Sequence, residues 1–407
     1  MTRPTSRFGI AGVSLILIAQ VAACTSSGGN SADTQKGSDG SYVITIPADL
    51  TGAVGALGSA FADGARAYFK SINYTAGGHH LTVREPIDTR SDAGAAQAAF
   101  RQAVEQRPIA MVGLTISSSV LGSQSILDAA GIPMINATTL PTLNGDGSTK
   151  APKKWFFTIG AAGNQVVDGM VYKMGELVNS LKGRRIAIAR SVSAAIEADA
   201  AVIKDRSKDQ QYQVVADEKM TTGAASFASQ AANIARARPE GVLVFGIGND
   251  AVTMAKALAE AGLTRIPLLQ FNGGTTFALM KAVDLPNYYA TFDSPEPTAD
   301  SALAAAASKL DLAQNVHNQN FAQGWSAAAL VGRAITSCSD TCTPTKLTAE
   351  LERVRNFTPP DDSTFGPIDL SLTDHVAGSA IRIFRWDPVH GAPSPAGDVV
   401  RLPAFNQ

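Results

Sequence analysis

The stretch IAMVGLTISSSVLGSQSILDAAGIPMINATT, residues 109–139, contains one complete strand–helix–strand unit. Residues 109–112 form a short apolar run, typical of a buried strand, and a serine-rich turn then leads into a helical stretch over residues 120–130. Another strand begins at Met134, after the break made by Gly131 and Pro133. Short loops between a strand, a helix and a second strand predict parallel neighbouring strands with the helix packed on the sheet.

The same alternation continues on both sides of this unit. Upstream, strands are expected at 42–46 and 81–85, and helices near 58–73 and 93–106. The alternation starts again after Trp155, with strands at 185–189, 212–215, 242–245 and 268–271 and helices at 194–205, 227–237 and 250–261. The sequence therefore predicts an α/β fold of two doubly wound parallel-sheet lobes. A ligand cleft is expected between them, because open parallel sheets bind ligands at the carboxyl ends of their strands.

The composition argues against several classes of function. The 407 residues have a net charge of -1 and only 17% charged side chains, which argues against a nucleic-acid surface. No Gly-x-Ser-x-Gly motif, no cysteine nucleophile with a histidine partner and no paired carboxylates in a glycine-rich loop occur in the sequence. We therefore expect no enzymatic activity, no cofactor and no metal site.

The N-terminus combines a short basic region, an apolar run and a cysteine. Arg3 and Arg7 precede the apolar residues 8–20, a run that has the length of a signal-peptide core and is too short to span a membrane. Val21-Ala-Ala-Cys24 resembles the bacterial lipobox, so residues 1–23 are predicted to be a lipoprotein signal peptide and Cys24 to carry the lipid. An ordinary signal peptide with an incidental cysteine is the alternative. Residues 24–41 are rich in Ser, Gly and Asp and are expected to form a flexible tether.

The two remaining cysteines, Cys338 and Cys342, lie close together in the sequence. Outside the cytoplasm this spacing favours a local disulfide that closes a short loop between two helices. A metal site is the alternative, but His317 and His375 are both distant in the sequence.

Several short motifs occur in the order and spacing of one known family. They are Leu50-Thr51-Gly52, Met111 to Ser119, Gly131 to Thr139, Trp155 to Thr158 with Asn164-Gln165, Phe321 to Ile335, and Phe365 to Leu370. No single motif is specific. Together, from Tyr42 to about Asp387, they resemble the solute-binding proteins of ABC importers with the type I periplasmic-binding fold, most closely the branched-chain amino-acid (Leu/Ile/Val) binding group.

The resemblance implies a hinge of three chain crossings, near residues 158–161, 290–296 and 363–368. Lobe 1 would comprise residues 42–158 and 292–363, and lobe 2 residues 159–291 and 364–407. It also implies that the lobes close on a small ligand and that the closed form docks on an ABC permease. The protein would be a monomer, held by its lipid on the extracytoplasmic face of the cell membrane. A ligand-sensing receptor domain is the alternative, because the fold does not separate transport from sensing, and an extracytoplasmic enzyme is less favoured.

Two polar loops are the candidate ligand site on lobe 1. Ser117, Ser118 and Ser119 follow a strand and precede a helix, where hydroxyl and backbone N–H groups suit a carboxylate. Simple N-capping by one serine is the alternative, although three are present. Thr138 and Thr139 follow the neighbouring strand, and in the resembled family these two loops hold the α-carboxylate of the substrate. The resemblance adds Thr51 from the first turn.

Four positions depart from the amino-acid binders of this family. The two pocket tyrosines of the family fall at Ala195 and near Ile247–Gly248, and an aromatic of the first loop falls at about Leu57. The acid that holds the substrate ammonium falls at Asn272, which remains a candidate contact. Without that acid a buried ammonium lacks its charge partner. The sequence therefore points to a ligand with a carboxylate or acceptor end, no obligatory ammonium and a larger or more apolar body.

Overall fold

The computed structural model describes residues 40–145, 151–312, 314–338 and 341–402. The predicted signal peptide, Cys24 and nearly all of the predicted tether lie outside these residues. None of the helices in the described ranges is long and apolar enough to cross a membrane.

The first half of the chain builds a six-stranded sheet. Its strands, together with those of a small accessory sheet, are β1 (Tyr42–Thr45), β2 (Pro47–Ala48), β3 (Thr75–Ala76), β4 (His79–Val83), β5 (Ile87–Asp88), β6 (Ala110–Gly113), β7 (Met134–Asn136) and β8 (Phe156–Thr158). The helices between them are α1 (Gly55–Ser71), α2 (Ala93–Glu105), α3 (Ser117–Gly122), α4 (Gln124–Ala130) and α5 (Pro141–Asn144). The sheet order is β3-β4-β1-β6-β7-β8, and all pairs are parallel except the β3–β4 hairpin. Strands β2 and β5 pair separately, in parallel.

The second sheet contains eight strands. They are β9 (Arg185–Ser191), β10 (Gln213–Met220), β11 (Gly241–Phe245), β12 (Leu268–Gln270), β13 (Tyr288–Phe292), β14 (Ala380–Asp387), β15 (Ala392–Pro395) and β16 (Val400–Arg401). Its helices are α6 (Gly163–Leu177), α7 (Ala194–Asp209), α8 (Ala228–Arg236), α9 (Asn249–Glu260) and α10 (Phe277–Val283). Strands β10-β9-β11-β12-β13 are parallel, and β14 to β16 add an antiparallel edge that the sequence pattern does not indicate.

Three further helices follow β13 and return to the first sheet. They are α11 (Ala302–Ser308), α12 (Gln319–Ser337) and α13 (Pro344–Leu351). Helix α12 is almost entirely buried and packs along α1. The two backbones meet at glycines: a Cβ added to Gly64 would lie 2.0 Å from Phe321 O, and one added to Gly324 would lie 1.9 Å from Phe61 O. We call the first sheet with α1–α5 and α11–α13 lobe 1, and the second sheet with α6–α10 lobe 2. The predicted two-lobed α/β fold is confirmed.

The chain passes between the lobes three times, after β8, after β13 and before β14. Ile368, Leu370 and Ala377 still belong to the core of lobe 1, and β14 begins at Ala380. This packing favours a third crossing near residues 378–379, later than residues 363–368. The residue boundaries of the two lobes stay a prediction.

One predicted helix differs in the structure. The sequence predicts a single helix over residues 120–130, whereas the chain forms α3 and α4, separated at Ser123. Gly122, a residue of low helix propensity, lies at this break. Because α3 already begins at Ser117, the serine run forms the first turn of a helix and does not precede it.

The loop between α12 and α13 contains a disulfide between Cys338 and Cys342, with an S–S distance of 2.01 Å. Cys342 is fully buried, and its N–H donates to the Tyr42 hydroxyl at 2.7 Å. The end of α12 is thereby attached to the start of the central strand of lobe 1.

Candidate ligand-binding site

A buried carboxyl, Asp49, organises the loops at the edge of the lobe 1 sheet. It lies directly after β2 and accepts the backbone N–H groups of Ile116 at 2.8 Å and Ser91 at 2.9 Å, as well as the Thr89 hydroxyl. Burial raises the pKa of Asp49 more than these hydrogen bonds lower it. Asp49 therefore holds three loops together at the sheet edge, next to the start of the serine run.

Thr51 lies on the exposed rim of the same edge. Its hydroxyl donates to Asp88 at 2.6 Å, and the N–H groups of Leu50 and Thr51 donate to the same carboxyl. Partial burial alone raises the pKa of Asp88, but these bonds and one from the Arg90 N–H lower it overall. The hydroxyl proton of Thr51 is engaged within lobe 1, which leaves its oxygen as an acceptor.

The hydroxyls of the serine run have different environments. Ser117 is half-buried, Ser118 is exposed and Ser119 is fully buried. Among the described residues, the Ser119 hydroxyl has no hydrogen-bond partner, and the same holds for the buried hydroxyl of Thr115. The N-cap of α3 is Ile116, so the serines do not cap this helix. The N-capping alternative is therefore wrong.

The threonine loop follows β7, the strand next to β6. Thr138 and Thr139 are both half-buried, and the Thr139 hydroxyl donates to Ala161 O at 2.8 Å. This bond connects the loop to the first crossing. The serine run and the threonine loop lie at the same sheet edge, and their contact with a ligand stays a prediction.

All three crossings meet at one point between the lobes. The Gly378 N–H of the third crossing donates to Gly160 O of the first at 3.3 Å. Asp293 of the second crossing accepts the Ala161 N–H at 3.2 Å. Side chains do not fit here: a Cβ at Gly160 would lie 2.7 Å from Asp293 Oδ2, and a Cβ at Gly378 would lie 2.2 Å from Ala161 N. The glycines allow the crossings to approach one another closely.

Amide side chains surround the carboxyl of Asp293. It accepts Gln323 Nε2 at 3.0 Å, and the Asn272 side chain lies beside it. Burial raises the pKa of Asp293 to about 6, although these two side chains and the Ala161 N–H act in the opposite direction. Asn272, where the family's acid was expected, is half-buried. It lies beside Asp293, an acid that the sequence analysis did not single out. The region between the lobes where the crossings meet, which we call the seam, therefore does contain an acid.

Apolar residues join the lobes at a second point. Leu57, in the first turn of α1, lies against the loop after β12, where a Cβ at Gly274 would be 2.7 Å from Leu57 Cδ1. Ile247 of lobe 2 packs against the core of lobe 1. These are two of the positions at which the sequence lacks the family's aromatics. Ala195, the third, is half-buried in the first turn of α7.

A further buried carboxyl, Asp199 of α7, lies against the start of α6. A Cβ at Gly163 would lie 2.2 Å from Asp199 Oδ1, and burial raises the pKa of Asp199 to about 7. Neither Asp199 nor Asp49 was singled out from the sequence. Each is a single acid without a recognisable motif, and the position of Asp49 directly after a strand is the one local signal.

Comparison with known proteins agrees with this architecture. A family model described as periplasmic binding protein matches residues 42–393. None of the curated protein sequences matches the chain. A solute-binding protein of an ABC transporter from R. palustris, in complex with benzoate, is 19% identical, with a TM-score of 0.72 over 90% of this chain and 98% of that one.

Two other solved structures have the same fold. A fatty acid ABC transporter substrate-binding protein from Thermomonospora curvata is 16% identical, with a TM-score of 0.76 over 90% of this chain and 96% of that one. A branched chain amino acid ABC transporter protein from Thermus thermophilus with bound valine is 16% identical, with a TM-score of 0.75 over 90% of this chain and 97% of that one.

The family match covers most of the chain, including the first sheet, strands β9 to β14 of the second sheet and all three crossings. Its members bind solutes outside the cytoplasm and are not enzymes. On this evidence the chain belongs to the periplasmic binding protein family.

Proposed function

We propose that this protein is a lipid-anchored solute-binding protein that captures a small organic ligand between its two lobes. Cys24 holds it on the extracytoplasmic face of the membrane, and the closed form, a monomer, delivers the ligand to an ABC permease. The observation that carries this proposal is the meeting of the three crossings and the threonine loop at one seam between the lobes. Such a seam opens and closes by small changes in a few crossing residues.

The proposed ligand is an amino acid, an amide or another compound with a carboxylate end. Ser119 and Thr115 support this, because a buried hydroxyl without a partner in the described chain is a donor available to an acceptor. Benzoate, a fatty acid and valine, named for three proteins of this fold, share a carboxylate and an apolar body. The contact of Leu57 with the loop after β12 supports an apolar body.

Replacing two predicted contact residues tests the ligand site. Thermal unfolding of the full chain in detergent should detect a ligand from a panel of amino acids, amides and carboxylates, with about 2.7 kcal/mol of stabilisation at a hundred times Kd. Ser118→Ala and Thr138→Ala should each weaken binding by about 1 kcal/mol, because each removes a hydrogen bond to the carboxylate. Ser71→Ala, which removes an exposed hydroxyl at the end of α1, is the matched control. If neither variant weakens binding, the carboxylate assignment is wrong; if no compound binds, solute capture is wrong.

Replacing Cys24 tests the anchor. In Cys24→Ser cells the protein should leave the membrane fraction, because a serine carries no thioether-linked lipid. Cell fractionation with immunoblotting measures this. The double variant Cys338→Ser, Cys342→Ser is the matched control, since it also replaces cysteines, those of the disulfide, but should stay with the membrane. A Cys24→Ser protein that still sediments with the membrane would contradict the anchor.

A further inference from the structure

The serine run, Ser117 to Ser119, begins directly after a backbone N–H that already has an acidic partner. Asp49 Oδ2 accepts the Ile116 N–H at 2.8 Å, and Ile116 is the residue before Ser117. Consecutive residues are about 3.8 Å apart, so the Asp49 carboxyl lies within roughly 7 Å of the first N–H of the run. The donors that were expected to hold the carboxylate of a ligand therefore have a carboxyl of the protein beside them.

Hydrogen bonds fix the Asp49 carboxyl in this place. Its Oδ1 accepts the Ser91 N–H at 2.9 Å and the Thr89 hydroxyl, while the Asp49 N–H donates to Leu114 O at 2.9 Å. The residue is fully buried. Because its backbone and both carboxyl oxygens are held, the carboxyl cannot turn away from an approaching anion. Solvent and salt also screen a buried charge much less than an exposed one.

No positive charge compensates Asp49 in the described part of the chain, where its hydrogen-bond partners are all neutral. Strand β5 and the loop after it carry three charged residues, which are Asp88, Arg90 and Asp92. The charge of Asp88 raises the pKa of Asp49, Asp92 caps α2, and the Arg90 side chain is exposed. Residues 55–62 of α1 and residues 113–123 contain no charged side chain. A second anion near Asp49 would therefore add to an uncompensated charge and raise the pKa of this buried acid further.

We propose that Asp49 determines which charge the serine run accepts: a carboxylate end binds there only together with a proton, whereas an amide or another uncharged acceptor end binds without one. The proton comes from solvent and forms an O–H bond on one of the two carboxyls, so that one negative charge remains. Two carboxyls in one site share a proton in this way, because both cannot stay ionised at short distance. This role of Asp49 rests on the proposed function, since it concerns the end of the ligand that the serine run would hold.

Matched ligand pairs separate the charge of Asp49 from its role in holding the loops. Benzoate and benzamide, hexanoate and hexanamide, and N-acetylvaline and its primary amide differ mainly in charge, so a change in loop geometry affects both members of a pair. Their affinities for the full chain in detergent are measured by titration calorimetry from about pH 5.5 to about pH 8, where the ligand carboxylates stay ionised.

In the wild type, a carboxylate that binds should do so up to about tenfold more weakly for each unit of rising pH, because its binding takes up a proton. The affinity of the matched amide should not change with pH. Titrations in buffers of different ionisation enthalpy should detect the uptake of up to about one proton with the carboxylate and of none with the amide.

Two variants assign the pH dependence to Asp49. In Asp49→Asn the carboxylate affinity should no longer depend on pH, and near pH 8 its ratio to the amide affinity should rise by about 10–100-fold over the wild type. Thr89→Val removes a donor to the ionised carboxyl at similar volume. It should therefore raise the pKa of Asp49 and move the pH dependence to higher pH, which tests the proposal even if Asp49→Asn does not fold. Asp92→Asn removes an exposed charge from the same loop and keeps a capping side chain, so it should behave as the wild type.

The outcomes distinguish this proposal from solute capture itself. A carboxylate affinity that stays constant with pH in the wild type, or an affinity ratio that is unchanged in Asp49→Asn, overturns the role of Asp49 and leaves solute capture intact. If no member of any pair binds to the wild type, the proposed carboxylate or amide end of the ligand is wrong, and the role of Asp49 fails with it.

Discussion

A Gly324→Ala variant should lose about 3 kcal/mol or more of its free energy of unfolding. The added methyl group would lie 1.9 Å from Phe61 O and 2.8 Å from Phe61 C, and both are backbone atoms of α1. A backbone cannot rotate aside as a side chain can, so α1 and α12 would have to separate. Because these helices carry much of the lobe 1 core, the separation would loosen contacts around it. Urea unfolding followed by circular dichroism measures the loss.

Gly175→Ala is the matched control for this prediction. Gly175 is also a helical glycine, in α6, but there an added Cβ would meet only Leu181 side-chain atoms at 3.4 Å. Alanine should leave stability unchanged or raise it by about 0.5–1 kcal/mol, because it favours the helix over the unfolded chain. If Gly324→Ala and Gly175→Ala lose equal free energies of unfolding, the close packing of α1 on α12 is not what destabilises Gly324→Ala.

A Glu296→Gln variant should be more stable than the wild type at alkaline pH and nearly equal to it near pH 5. Glu296 is 8% exposed, and burial raises its pKa from 4.5 to about 8. The folded state therefore prefers the protonated acid, and the stability that this acid contributes is lost as the pH rises through about 8. Glutamine stays neutral and still accepts the Phe277 N–H, as Glu296 does. Near pH 9 the variant should gain about 2–4 kcal/mol.

Chemical denaturation of both proteins across the range from about pH 5 to about pH 9 measures this difference. The pKa values of Asp199 and Asp293 are also raised, so these acids also lower the free energy of unfolding as the pH rises. The variant should therefore keep part of the decline in stability with pH. Asp300→Asn, an exposed acid on the same crossing, is the control and should leave the profile unchanged. Parallel profiles for Glu296→Gln and the wild type would contradict a buried, ionisable Glu296.

Secondary structure was predictable where its signals are local. Helix α2 begins at Ala93, as predicted, because Asp92 caps it through the Ala95 N–H. Strand β10 extends to Met220, whereas the apolar run predicted only residues 212–215. Its second half contains charged residues that form ion pairs, among them Asp217 with Arg190 and Lys204. An edge strand of this kind has no apolar run from which to read its length.

The candidate site was also predictable only where its residues have a local signal in the sequence. The serine and threonine loops each follow a strand directly, so their positions at one sheet edge follow from local pattern. The network around Asp293 joins residues from the loop after β12, a crossing and α12, which are far apart in the sequence. None of these residues is unusual in its own segment. Only tertiary packing brings these residues together in the interior, and a local sequence pattern cannot predict such packing.

The packing of α1 against α12 also has a consequence for how the chain folds. The two helices lie at opposite ends of the sequence, with most of lobe 2 between them. Contacts between such distant segments form slowly, because a long intervening loop must close first. Lobe 1 cannot complete its core until α12 is available, and lobe 2 cannot complete its sheet until β14 is available. If the chain is exported as proposed here, neither lobe can complete its native fold until nearly all of the chain has crossed the membrane.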